Sequence, residues 1–182
     1  MADHMKKIVI VGCGGAGKST LARELGQRLR LPVIHLDALF WKPGWVMIPK
    51  DEERRRLAEL LVEPAWVIDG NYNSTMPIRF EAADTIIFLD FPVWLCLWRV
   101  LKRWLQYRGH SRPDMSPGCP EKLNWQFLGW VCLYRSIYRP KVLKRLAAYG
   151  QNRRVLIFEH PRQLTDFLCS LMTNESVMTI FQ

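Results

Sequence analysis

The stretch KKIVIVGCGGAGKST, Lys6–Thr20, governs how the rest of the chain is read. KKIVIV at Lys6–Val11 is a β-branched run that stops on a glycine, so it reads as a buried strand. Gly12-Cys13-Gly14-Gly15-Ala16-Gly17-Lys18-Ser19 fits GxxxxGK[ST], and Lys18–Leu31 carries helical spacing at Leu21, Leu25 and Leu29 before Pro32. Strand, glycine-rich loop and helix in succession are the context this pattern requires. The residue types follow from the chemistry of phosphate. Glycines let successive backbone N–H groups converge on phosphate oxygens, and the helix N-terminus adds a partial positive charge. Gly12, Cys13, Gly14, Gly15, Ala16, Gly17, Lys18, Ser19 and Thr20 are therefore the candidate site for ATP. Lys18 is expected to reach the β/γ-phosphates, and the Ser19 hydroxyl to ligate Mg2+.

Working outward, strands are expected at Val33–Leu36, Trp66–Asp69, Asp84–Asp90 and Arg154–Phe158. Helices are expected at Asp51–Val62, Val93–Tyr107, Glu121–Tyr149 with a break at Pro140, and Arg162–Leu171. Gly109–Pro120 reads as a loop, and the tail from Thr173 carries no signal. Strands alternating with helices predict an α/β fold with a parallel sheet covered on both faces. A length of 182 residues fits one domain with its own core, taken as residues 5–171 followed by a tail at 172–182.

Phosphoryl chemistry also needs carboxylates near the phosphates. Asp37, Asp69 and Asp90 each end a predicted strand, where ligands of such sheets bind. A capping role competes for each, and Asp90, ahead of Phe91-Pro92, suits that plainer role best. Asp37 and Asp69 are the better candidates for metal or acceptor work.

Charge is unevenly spread. The net charge is +9, yet Arg99–Arg154 holds 13 Lys/Arg against Asp114 and Glu121, a balance of +11, which leaves −2 for the remainder. Such a surplus points to a polyanionic partner, either a phosphorylated substrate or nucleic acid. On Val93–Tyr107, Arg99, Lys102, Arg103 and Gln106 share a face of an otherwise apolar helix, which suggests a cleft lining. Leu128, Cys132, Arg135 and Arg139 share a face on the returning helix. The longest apolar run, Phe91–Trp98, is too short to span a bilayer, and no signal-peptide pattern opens the chain. Five cysteines without a CxxC pair suit a reducing compartment, so the cytoplasm is expected.

The phosphate loop, HLDALFWKPGW (His35–Trp45), WVIDGNY (Trp66–Tyr72), ADTIIFLDFP (Ala83–Pro92), WRVLKR (Trp98–Arg103) and RPDMSPGCPE (Arg112–Glu121) together resemble the bacterial "DNA topology modulation" proteins. Those are P-loop kinases of the adenylate-kinase-like class. The resemblance implies a five-stranded parallel sheet of order 2-3-1-4-5 with a short helical lid at about 104–125. It implies Mg2+ held through the position of Asp69 and an acceptor at the position of Asp37. It also implies lid arginines that neutralise the transferring phosphoryl group, matched by Arg99 and Arg103, and by position alone by Arg135 and Arg139. Asn71 and Arg79, in and after DGNY, are candidates to bind the acceptor. Trp41 and Trp45 flank a turn beside it, where they would stack on a base or pack as core. Only Cys119 lies in the lid, so no zinc lid is expected.

The expected activity is transfer of the γ-phosphoryl group of ATP to a small molecule or nucleotide, with Lys18, Asp37, Arg103 and Arg139 in catalytic roles. The competing reading is an ATP-binding protein that interacts with nucleic acid. Against it, no helix-turn-helix, zinc-finger or RNP pattern is visible.

Overall fold

Strand β1 (Lys7–Gly12) runs at the centre of a five-stranded parallel sheet. The computed structural model describes residues 5–178. The sheet order is β2 (Val33–His35), β5 (Trp66–Asp69), β1, β6 (Thr85–Leu89), β7 (Arg154–Phe158). Counted within the sheet, this is the expected 2-3-1-4-5. A two-stranded hairpin, β3 (Trp41–Lys42) and β4 (Val46–Met47), stands apart from it. Every residue of β5 and β6 is buried, and Ile8, Val9, Ile10 and Val11 are fully so. Side chains alternate across a sheet, so burial of both sets means that both faces are covered.

Parallel register brings the carboxyl ends of β1, β5 and β6 together. Ile10 pairs with Asp69, and Gly12 with Leu89. Helix α1 (Lys18–Leu29) starts directly from that edge and packs Leu21, Ala22 and Leu25 into the core. Helix α5 (Val93–Tyr107) lies along the other side of the phosphate loop.

Several boundaries differ from the sequence reading. Leu36 opens a short helix, α2 (Leu36–Phe40), instead of ending β2. Helix α3 spans Lys50–Leu61, and α4 (Met76–Ala82), which lacked a clear signal, follows the DGNY loop. The helical stretch expected from Glu121 begins at Trp125 in α6 (Trp125–Leu133), where Asn124 Oδ1 accepts the N–H groups of Gln126 and Phe127 at 2.8 and 3.3 Å. A π-helical turn at Tyr134–Tyr138 then leads into α7 (Arg139–Tyr149). Pro140 has no N–H to give the carbonyl four residues back, so the helix widens ahead of it. The final helix, α8 (Pro161–Met178), runs past the expected end at Leu171 into the predicted tail, while residues 179–182 lie outside the described residues. Among the described residues no helix is long and apolar enough to cross a membrane.

Candidate active site

The phosphate loop bends through left-handed backbone at Gly15 and Gly17, with φ of 80° and 95°. A Cβ on Gly15 would stand 2.3 Å from the Cys96 carbonyl oxygen of α5, so the loop and that helix are pressed together. Cys13 is buried beneath the loop; its hydrogen bond with Cys96, then burial, push its thiol pKa far up. Lys18 curls over the loop, and its Nζ donates to the Gly12 and Cys13 carbonyls at 3.0 and 2.9 Å. Burial lowers its pKa, and the charges of Asp69 and Asp37 act in the opposite sense. Thr20 is exposed on the first turn of α1.

Ser19 Oγ donates to Asp69 Oδ2 at 2.8 Å. The other oxygen of Asp69 lies 2.5 Å from His35 Nδ1, a contact fixed by the register that sets His35 opposite Asp69 across β2 and β5. Burial works against the His35 imidazolium, yet the Asp69 hydrogen bond and charge outweigh it and raise the His35 pKa above 6.5. The sequence reading passed over His35. Its only signal was its place directly ahead of Leu36-Asp37 at a strand end. A serine hydroxyl and a carboxylate converging at the start of α1 are oxygen donors of the kind that suit Mg2+.

Asp37 does not end a strand; it occupies the first turn of α2. Tyr72 Oη donates to its Oδ1 at 2.8 Å. Burial pushes the Asp37 pKa up, while the Tyr72 hydrogen bond and the Lys18 charge hold it back. Beyond it, Trp41 and Trp45 meet edge to face at 5.5 Å.

Four assignments take different places. Asn71 is engaged with the loop itself: its Oδ1 accepts the Gly12 N–H at 3.0 Å, and its Nδ2 donates to the Gly12 carbonyl. Arg79 is fully buried, and donates to the carbonyls of Gly70 (3.0 Å) and Tyr72 (3.1 Å). Burial pulls its pKa down to about 9, and its role here is to brace the DGNY loop from beneath. Arg135 is exposed, as is Cys132 of the same stripe, because the helix turns Val131 and Tyr134 inward instead. Arg139 is held by Asp90, with its Nε 2.8 and 2.7 Å from the two carboxylate oxygens.

The lid arginines are engaged as well. Arg99 Nη1 donates to the Ala16 carbonyl at 3.1 Å, which sets its guanidinium on the phosphate loop, over the Phe91 ring. Arg103 meets Glu121 through Nε (3.0 Å) and Nη2 (2.8 Å). Arg112 is buried between Glu121 (2.8 Å) and Asp114 (2.9 Å). Asp114 is itself buried; burial raises its pKa, but the Arg112 charge and the neighbouring Ser19 hydroxyl win and hold it below the usual value. The connection between α5 and α6 thus reaches the phosphate loop. It also docks on the β3–β4 hairpin. The Gly44 N–H donates to the Gly118 carbonyl (2.9 Å), Trp45 Nε1 to the Pro120 carbonyl (3.1 Å) and the Cys119 thiol to the Lys42 carbonyl (3.2 Å).

No family profile matches the chain. Over 136 residues it is 30% identical to the uncharacterized protein YqaC of Bacillus subtilis (strain 168), covering 71% of this chain and 72% of the relative. The chain belongs to the YqaC family. Among solved structures, this YqaC-family chain is similar to shikimate kinase from Acinetobacter baumannii in complex with shikimate, with a TM-score of 0.57, 19% identity and 94% of each chain covered. It is also similar to shikimate kinase from Bacteroides thetaiotaomicron, with a TM-score of 0.51 and 19% identity over 94% of this chain and 99% of that one. Its fold is that of the P-loop kinases of adenylate-kinase-like architecture.

Proposed function

We propose that the protein is an ATP-dependent phosphotransferase acting on a small hydroxyl-bearing acceptor. The observation that carries this reading is the meeting, at one sheet edge, of the glycine loop with Lys18, the Ser19–Asp69 pair at 2.8 Å, and the half-buried Asp37 on the side of the hairpin. The loop N–H groups and Lys18 would bind the triphosphate, Lys18 exchanging its two carbonyl partners for phosphate oxygens. Ser19 and Asp69 would hold Mg2+, which when bound neutralises charge on the phosphates. Asp37 would orient the acceptor hydroxyl and take its proton as that oxygen bonds to the γ-phosphorus and ADP leaves. A carboxylate whose pKa is raised by burial suits that task. Arg99, already on the loop, would stabilise charge in the transfer. Arg103, Arg112 and Arg139 would join only by exchanging their carboxylates for phosphate.

The motif resemblance to the DNA topology modulation proteins and the shikimate kinase folds both support a kinase. They leave the acceptor to experiment. The test is ATP consumption by the full chain across nucleosides, nucleoside monophosphates and hydroxylated metabolites, shikimate among them, with Lys18→Ala as control. Acceptor-dependent ADP formation that disappears in Lys18→Ala is expected. Equal turnover by the two proteins would overturn the reading.

A further inference from the structure

Helix α5 turns Cys96, Val100 and Arg103 toward the protein and presents an apolar stripe to solvent. Trp94 is 70% exposed, Trp98 62%, Leu101 39% and Leu105 68%. At 3.6 residues per turn these four fall within about 60° of one another, opposite the buried face, along about 17 Å of helix. The sequence reading had this side of the helix buried; the structure leaves it uncovered. The segment has no exposed acid to balance its bases. Lys102 and Arg108 are exposed beside the stripe and at its end, with the Arg108 guanidinium 5.4 Å from the Trp104 ring centroid, and Lys122 is exposed in the lid. The two acids between Arg99 and Arg154, Asp114 and Glu121, are both buried in ion pairs with Arg112 and Arg103. This side of the molecule therefore offers an apolar ridge within a positive field.

We infer that the outer face of α5 docks on an anionic lipid surface, with Trp94, Trp98, Leu101 and Leu105 entering the headgroup boundary and Lys102 and Arg108 facing lipid phosphates. A helix with tryptophan and leucine on one side and basic residues alongside is suited to lie in that interface. A second copy of the chain fits less well, because pairing two such stripes adds the bases of one copy to the positive field of the other. Single-stranded nucleic acid also fits less well, because half of the stripe is leucine and has no ring on which a base stacks.

The test uses the full chain with vesicles of phosphatidylcholine alone and of phosphatidylcholine with phosphatidylglycerol, read by cosedimentation and by tryptophan emission. Binding with a blue shift on the mixed vesicles, weakened by salt, is expected. Leu105→Glu should lower partitioning about tenfold or more, since one large apolar side chain no longer leaves water. Lys102→Glu, a change that leaves the apolar stripe intact, should lower it about fivefold or more. Circular dichroism melts report whether each variant is folded, and Lys102→Glu carries the test should Leu105→Glu unfold. Absence of binding to the mixed vesicles, or binding indifferent to Lys102→Glu, would overturn the inference. So would a dimer dissolved by Leu105→Glu, or oligonucleotide binding lost in Trp94→Ala without any affinity for vesicles.

Discussion

Glu121→Gln tests whether the α5–α6 connection, the segment expected from sequence as a lid, is held by charge. Glu121 faces Arg103 with one oxygen and Arg112 with the other, and the three side chains are 5%, 25% and 9% exposed. Glutamine keeps the shape and the backbone hydrogen bond from the Glu121 N–H to the His110 carbonyl (2.9 Å), but leaves two guanidiniums facing a neutral amide. Removing one partner of a buried ion pair costs about 3–5 kcal/mol. The quarter exposure of Arg103, and the continuing hold of Asp114 on Arg112, bring the expected loss to about 2–3 kcal/mol. If the lid melts with the whole domain, that loss lowers Tm by about 4–12 °C. If the lid opens by itself, the loss raises its open population about 30- to 150-fold and appears as faster cleavage within residues 109–120. Urea titration and limited proteolysis of Glu121→Gln, set beside the exposed control Lys122→Gln, separate the two cases. Agreement of the two variants in both measurements would refute the role given to Glu121.

Tyr72→Phe removes the hydroxyl that donates to Asp37 and holds its pKa down. A base acts when ionised, so the acid limb of the rate should move to higher pH in Tyr72→Phe, while Asp37→Asn should lose about 10²- to 10⁴-fold in rate. A pH–rate profile unmoved by Tyr72→Phe would count against Asp37 as the base. Gly15→Ala should destabilise by about 2–5 kcal/mol, from left-handed strain plus the clash with the Cys96 carbonyl. Gly44→Ala, at the same φ of 80° but with nothing within 4 Å, should cost only about 1–2 kcal/mol in the same thermal melts. Equal losses would mean that the packing of α5 on the phosphate loop is loose.

Local patterns carried far. The GxxxxGK[ST] spacing, the β-branched runs and the alternation of strand with helix depend on neighbours in sequence, and they were enough for a parallel α/β sheet and the phosphate loop, while the strand order came from the motif resemblance. Asp69 was legible because it ends a short apolar run, and Arg99 because it breaks an apolar helix. Pairings between distant residues were not. The bonds of Asp69 with His35, Glu121 with Arg103 and Asp90 with Arg139 join residues 18 to 49 positions apart. No periodicity encodes such partners. Arg79 looked like a group for the acceptor because the sequence does not say that α4 tucks it beneath Gly70 and Tyr72.

Short-range pattern is enough for a parallel α/β sheet with a phosphate loop at the carboxyl end of its first strand, because backbone freedom, strand propensity and helix spacing act within a few residues. Tertiary structure alone decided which lid cations are compensated and which side of α5 stays in water. The polar stripe of that helix, Arg99, Lys102, Arg103 and Gln106, selects the far apolar side for burial, which is not the side the structure buries. The choice falls to the loop pressed against Cys96, which turns Arg99 and Arg103 inward and leaves Trp94, Trp98, Leu101 and Leu105 outside.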